Sequence, residues 1–237
     1  MKRWFIGLIF VICTTILSGC LYPQEKRQQL DQLPTHIAQV QSAVDEYKKR
    51  NHMVPYRYKE DEIMLTTKYL VDFEALKGYG TGIPPTAFEK GGNYLYLYTD
   101  VEKKPTVRVM DLRIHEQIRI VQPLVQEYLK EKKQLPVKEK VDVQYATIDF
   151  NKLRINPVTI PSPYHAQTSL ELLVDQKGRV FVDYRPEVMQ MIQEAKNKPS
   201  ENQDLRTWVS LQSFFVPAYS PPMKYKNNEP VLEVVAP

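Results

Sequence analysis

The chain has 237 residues, a formal net charge of +4 and 43% hydrophobic residues, which suits one large domain or two small ones and excludes wholesale disorder. Two of the charges, Lys2 and Arg3, sit in a leader; without them the charge is 4 − 2 = +2, too near balance to leave an electrostatic footprint for nucleic acid. Pro is frequent (18) and Gly scarce (8), so the connections are expected to be stiff and extended.

The N-terminus opens with basic Lys2-Arg3, followed by the uncharged apolar stretch Trp4 to Ile16 and then Leu17-Ser18-Gly19-Cys20. A basic start, a short apolar core and small residues before a cleavage point describe a secretory signal. The apolar run is shorter than the ~20 residues a spanning helix needs. The four residues from Leu17 to Cys20 resemble the lipobox of bacterial lipoproteins. That resemblance implies that Leu17, Ser18 and Gly19 are recognition positions and that Cys20 becomes the lipid-bearing first residue. Cys13 lies in the signal core and lipidation consumes Cys20, so the processed chain keeps no thiol for a disulfide, a thiolate metal site or nucleophilic chemistry. The expected divisions are a signal peptide (1–19), a polar spacer (20–33), two units (34–111 and 112–184) and a C-terminal region (185–237). Lys26 and Arg27 in the spacer add weak attraction to anionic headgroups.

The two units emerge when the sequence is compared with itself. At an offset of 81, Val40-Gln41 meets Val121-Gln122, Val44 meets Val125, Glu46-Tyr47 meets Glu127-Tyr128, Lys49 meets Lys130 and Pro55 meets Pro136. The offset then falls: Phe73 meets Phe150 at 77, and Asp111 and Arg113 meet Asp183 and Arg185 at 72. Stepwise offsets mean loops of different length around a common framework.

In the first unit Ile37, Val40, Val44 and Tyr47 make one helical face, with Pro34 in the first turn. Ile63 and Leu65 give a weak strand signal, and a Pro-containing loop runs from Gly78 to Pro85. A hairpin pairs Tyr94–Tyr98 with Val107–Met110. In the second unit Ile114, Ile118, Val121, Val125 and Tyr128 form the helical face, interrupted by Pro123. The alternation of Val141, Val143, Tyr145 and Ile148 predicts one strand, Asn156 to Pro163 a second Pro-containing loop, and Leu170–Val174 with Val180–Tyr184 a hairpin. The Asp175-Gln176-Lys177-Gly178 turn supports that hairpin, since Gly accepts positive φ. A helix with Val188, Met191, Ile192 and Ala195 on one face follows, without a further hairpin. Leu205–Val216 packs as helix or strand, and Val231 to Val235 adds an edge strand to a Pro-rich tail. The fold class is therefore α+β: two tandem repeats, each a helix followed by a small antiparallel sheet, with a C-terminal helix and extended tail.

Motifs for chemistry are sparse. His36, His52, His115 and His165 stand in no metal-ligand spacing. Gly78, Gly80 and Gly82 precede Pro84 and Pro85 rather than a helix, which excludes a dinucleotide loop. No catalytic residue, metal or cofactor is expected. The candidate binding residues lie in the paired Pro loops: Tyr79, Pro84, Pro85 and Phe88 in the first, Pro161, Pro163, Tyr164 and His165 in the second. Rigid loops carrying aromatics bind at low ordering cost; the same residues also suit a stiffened crossover whose aromatics cap the core. Likewise Tyr94, Tyr96 and Tyr98 share a face, either as a ligand row or as ordinary sheet packing.

The opening Met-Lys-Arg-Trp, the Leu17–Pro23 segment and Tyr47-Lys48-Lys49-Arg50 resemble the YphF-type lipoproteins of spore-forming, Bacillus-type bacteria. The resemblance implies a protein held by the lipid on Cys20 at the outer face of a Gram-positive plasma membrane. The expected function is a non-catalytic binding or interaction module of the cell envelope, with an envelope protein or a wall polymer as partner and no nucleic acid. The alternative is the solute-binding lipoprotein of an ABC transporter, which needs an enclosed pocket; an enzyme needs a converging group of His, Asp and Glu.

Overall fold

The computed structural model describes residues 24–58, 67–165 and 167–234, and of residues 24–29 the backbone alone. The lipobox residues and Cys20, the side chains of Lys26 and Arg27, the Ile63/Leu65 strand signal and Val235 lie outside the described residues.

Helix α1 (Gln24–Asn51) buries Leu33, Ile37, Val40 and Val44, spaced so that all four fall on one face. That face packs on a four-stranded antiparallel sheet in the order β1 (Tyr56–Tyr58), β2 (Tyr69–Val71), β3 (Tyr94–Thr99), β4 (Thr106–Asp111). Tyr94, Tyr96 and Tyr98 point into this core, 1–3% exposed, so the tyrosine row is sheet packing. The expected helix start at Pro34 is too late. Pro34 lies inside α1, and the helix runs back through the described part of the expected spacer, because Leu33 extends the apolar stripe into the core.

Helix α2 (Leu112–Lys132) follows β4 without a loop and runs unbroken through Pro123. Its buried Ile114, Ile118, Val121 and Val125 stand 81 residues after Leu33, Ile37, Val40 and Val44 of α1. Both helices end on a non-glycine residue in the left-handed region, His52 (φ 59°) and Lys133 (φ 55°), again 81 apart. Helix α2 covers the second sheet, where β8 (Ser169–Asp175) is central. It pairs with β6 (Tyr145–Ile148), with the two-residue β7 (Ile160–Pro161) and with β9 (Val180–Asp183); β5 (Val137–Lys140) pairs with β6. The single strand expected from Val141 to Ile148 is instead the turn and second arm of the β5–β6 hairpin. Asp142 accepts the N–H groups of Gln144 and Tyr145, which folds the chain back. The second Pro loop likewise contains β7, because Pro161 needs no N–H where it meets Ser169.

Two polar devices recur. Gln41 Oε1 accepts the Val107 N–H (2.7 Å) while its Nε2 donates to the Pro105 carbonyl (3.3 Å). Gln122 does the same to Val180 N–H (2.8 Å) and the Gly178 carbonyl (2.7 Å). Each helix thus clamps the turn end of its own hairpin. At the other end, Asp111 and Asp183 each accept the backbone N–H two residues ahead (2.9 and 3.0 Å) and grip that residue's guanidinium, Arg113 or Arg185. A third such corner, Asp204 with Arg206, opens helix α4 (Leu205–Gln212).

Helix α3 (Arg185–Glu194) and α4 are followed by a hairpin of β10 (Met223–Lys226) and β11 (Glu229–Leu232). The edge strand expected from Val231 is instead the second arm of this hairpin, with Val231 opposite Lys224. Its turn residues Asn227 and Asn228 both take positive φ, 51° and 67°, as a two-residue hairpin requires.

Residues 214–219 stitch the two sheets together. Val109 N–H donates to Phe214 O (2.9 Å) and Val216 N–H to Val109 O (3.0 Å), while Val182 N–H donates to Tyr219 O (2.9 Å). Val216 and Ala218 cover Leu97 and Met110 on the outer face of the first sheet. Leu232 packs on the outer cluster of the second, formed by Tyr145, Leu173 and Phe181. Among the described residues no helix is long and apolar enough to cross a membrane.

Candidate functional site

The two Pro loops receive different surroundings. In the first, Pro84 is buried and Pro85 exposed, and Pro84 O accepts the Ala87 N–H at 3.0 Å. Thr86 is fully buried and links Tyr96 OH (2.7 Å) to His36 Nδ1 (3.0 Å), which fixes the loop to α1 and β3. Burial pushes the Tyr96 hydroxyl up to about 12. The loop turns so tightly that a Cβ on Gly92 would stand 2.1 Å from the Thr86 carbonyl. Tyr79 rests against the Tyr47 ring (4.9 Å) under the Arg50 guanidinium (5.3 Å), and its hydroxyl accepts from Asn51 Nδ2 (3.0 Å).

Phe88 is different: it projects from a short 3₁₀ turn (Phe88–Lys90) and is 61% exposed. Arg57 in β1 pairs with Glu89 at 3.1 Å, so this turn lies beside the edge strand of the first sheet. There Tyr56 and Tyr58, 43% and 54% exposed, flank Tyr69 with ring centroids 5.1 and 5.6 Å away. Met53, 60% exposed, precedes them. This end of the first unit therefore displays Met53, Tyr56, Tyr58 and Phe88 to solvent. Tyr56 and Tyr58 share one face of β1 and form an aromatic group with Tyr69, which is more informative than single exposed apolar residues, common on any surface. Sequence reading named Phe88 and missed Tyr56 and Tyr58, although their i, i+2 spacing on a short strand before a weak strand signal was available.

In the second loop Tyr164 wedges between the two units. Its ring meets Tyr184 (6.0 Å) and Phe215 (6.3 Å) edge-on, and it packs against the cores of both units. Burial drives the hydroxyls of Tyr164 and Tyr184 well above the usual tyrosine range. Ser162 Oγ accepts the N–H groups of Tyr164 and His165 (3.1 Å each), closing the loop; Pro161 is exposed and Pro163 half-buried. His165 Nδ1 bonds Glu187 Oε2, and Thr168 Oγ1 donates to Glu187 Oε1. Glu187 is 3% exposed in the first turn of α3, where the helix dipole favours a carboxylate. Both carboxylate oxygens are engaged, so Glu187 fastens the loop to α3 and holds the imidazole in one orientation. Glu187 also lines an open cleft of about 380 Å³, together with Thr168, Glu171, Asp183 and Gln190. Among the described residues no group of three His, Cys, Asp or Glu side chains is placed to hold a metal. No sequence pattern pointed to Glu187, because its partner lies 22 residues away across a hairpin.

The comparisons with known proteins bear on the first unit. No curated protein and no solved structure matches the chain. Residues 33–111, from Leu33 in α1 to the end of β4, match the YphF family N-terminal domain, so over about a third of its length the chain is similar to YphF-type proteins.

Proposed function

We propose that this chain is a membrane-anchored, extracytoplasmic lipoprotein, lipidated on Cys20, that acts as a non-catalytic interaction module of the cell envelope. Its partner is an envelope protein or a wall polymer, met by the aromatic end of the first unit. The observation that carries this reading is the exposure of Met53, Tyr56, Tyr58 and Phe88 around one edge strand, 43–61% each. Tyr and Phe give contact area at low ordering cost, which is why they are enriched at binding surfaces. The length of α1 supports the geometry. Its 28 residues span about 42 Å, and the aromatic cluster follows its far end, away from the proposed anchor. The shared clamps, left-handed helix ends and Asp–Arg corners support reading the two units as copies of one framework.

The test places a photoreactive amino acid in living cells at Tyr58, at Phe88 and at Val143, an 84% exposed position of the second unit. The proposal expects one adduct from Tyr58 and Phe88, absent from Val143 and lost in Cys20→Ala. Equal labelling at all three positions, or adducts indifferent to Cys20→Ala, would sink it.

A further inference from the structure

A roomier cleft than the one beside Glu187 lies on a different face, and its chemistry is not used by the aromatic end. This groove of about 560 Å³ runs between α1, the turn joining β3 to β4, and the end of α4. Its floor is apolar: Ile37 and Val107 are buried beneath it, and Leu211 and Phe214 border it while 41% and 43% exposed. Its charge is net positive. Four cations, Lys48, Lys103, Lys104 and Arg108, line it against two carboxylates, Asp45 and Asp100.

None of the four cations pairs with a carboxylate among the described residues. Asp45 is occupied instead by Gln41 Nε2 at 2.9 Å. Arg108 spends its donors on carbonyls, with Nε on Ser210 O at 2.7 Å and Nη2 on Leu211 O at 3.3 Å, which holds the end of α4 against the sheet. That leaves the Lys48, Lys103 and Lys104 ammonium groups as unspent positive charge along an apolar trough.

We infer that this groove is a docking site for an acidic peptide segment of a partner protein, one that carries a Leu or Phe among its carboxylates. The charge fits such a ligand. So does the length. The α1 wall from Pro34 to Lys48 extends about 21 Å, the span of about six extended residues. The concavity favours a chain over a flat bilayer, whose surface cannot follow the trough down to Ile37. The backbone along the β4 wall is already satisfied, since Gln41 takes both the Val107 N–H and the Pro105 carbonyl. Recognition therefore runs through the floor and the lysines, not through an added strand.

The experiment uses the full chain in mild detergent and a fluorescein-labelled decapeptide of Glu with central Leu and Phe, read by fluorescence anisotropy. A peptide with Lys replacing every Glu is the control. The expected result is binding of the Glu peptide only. Affinity should fall at least tenfold in K103E/K104E, and also in Phe214→Ser, with unchanged thermal melting. Binding should weaken as salt rises. Failure of the Glu peptide to bind, or equal binding by the double variant, overturns the inference. Vesicles containing phosphatidylglycerol are the second probe: vesicle binding lost in K103E/K104E without peptide binding assigns the lysines to a membrane surface instead. Concentration-dependent dimerisation lost in the same variant assigns the groove to a second copy of the chain. The inference does not depend on the aromatic end, because Tyr58 and Phe88 are untouched by these variants.

Discussion

The first helix-and-sheet unit and the second agree most closely where polar side chains hold backbone and least where loops meet solvent. Gln41 and Gln122 make the same pair of hydrogen bonds to their hairpins, and Asp111 and Asp183 close the far end with the same Arg grip. The loops between them differ. The first ends in an exposed Phe88 beside an exposed tyrosine edge, whereas the second turns Tyr164 inward against Phe215 and Tyr184. A buried N–H or carbonyl must find a partner, so side chains that supply one tolerate little change. Aromatic residues on loops answer only to what they touch, and in the two units they touch different things.

The sharpest way to break both units at once is Phe215→Ala. Phe215 contacts Tyr94 in the first core (5.9 Å) and Tyr164 of the second loop, and its neighbours bridge the two sheets. Removing a buried aromatic costs about 3–5 kcal/mol. A single cooperative melt, shifted far down and followed by circular dichroism and Trp208 fluorescence together, is expected. Separate transitions by the two probes, with the first sheet unaffected, would show that the stitch does not couple the units.

Next in size is the comparison of Gln41→Ala with Gln122→Ala. Gln41→Ala leaves a hairpin N–H and carbonyl without their side-chain partner, about 2–3 kcal/mol in all. The second unit has a spare: Gln126 Nε2 also donates to Gly178 O at 2.7 Å. Gln41→Ala is therefore expected to destabilise more than Gln122→Ala. Hydrogen exchange at Val107 and Val180 reads the two sites directly, and equal loss of protection would contradict the ranking.

These same residues show how far the sequence could be read. The helix faces and the β3–β4 and β8–β9 hairpins were legible, because periodicity reports burial and burial repeats with the framework. Gln41 stood out as an identity with Gln122, but its role was not legible, since a side chain's hydrogen bond to a hairpin 66 residues away leaves no local pattern. The β10–β11 hairpin was legible and passed over: Asn227-Asn228 is a turn signal hidden in a Pro-rich tail. The candidate site was half visible. Phe88 and His165 were picked out as residue types, while the exposure of one and the Glu187 partner of the other depend on packing that no spacing records.

Tyr96 gives a smaller and pH-dependent effect. Burial raises its folded pKa to about 12, against an ordinary value of 10.0. Its contribution is complete below pH 10 and is lost as pH rises through about 12, because the unfolded chain ionises first. Tyr98 is shifted upward in the same way, by burial first and then by the nearby Asp72 charge. Denaturation by urea between pH 9 and pH 12 should show stability level at first and then falling. In Tyr96→Phe the fall should be shallower by about 1–2 kcal/mol, with solvent screening allowed for. An unchanged slope would mean that Tyr96 ionises as freely folded as unfolded.

The smallest effect on stability separates the two loops most clearly. Phe88 is 61% exposed, so Phe88→Ala should change stability by no more than about 0.5 kcal/mol, the usual range for surface positions. Tyr164 stands at the corresponding loop of the second unit and wedges between two cores, so Tyr164→Ala should cost about 3 kcal/mol or more. If the aromatic end of the first unit is the binding surface, the order reverses in function. Photocrosslinking from Tyr58 should then drop in Phe88→Ala while the protein melts normally. In Tyr164→Ala, measured well below its lowered melting temperature, the adduct should persist. The opposite pattern, with the adduct kept in Phe88→Ala and lost in folded Tyr164→Ala, would move the binding surface to the second loop, where Glu187, the partner of His165, lines the cleft.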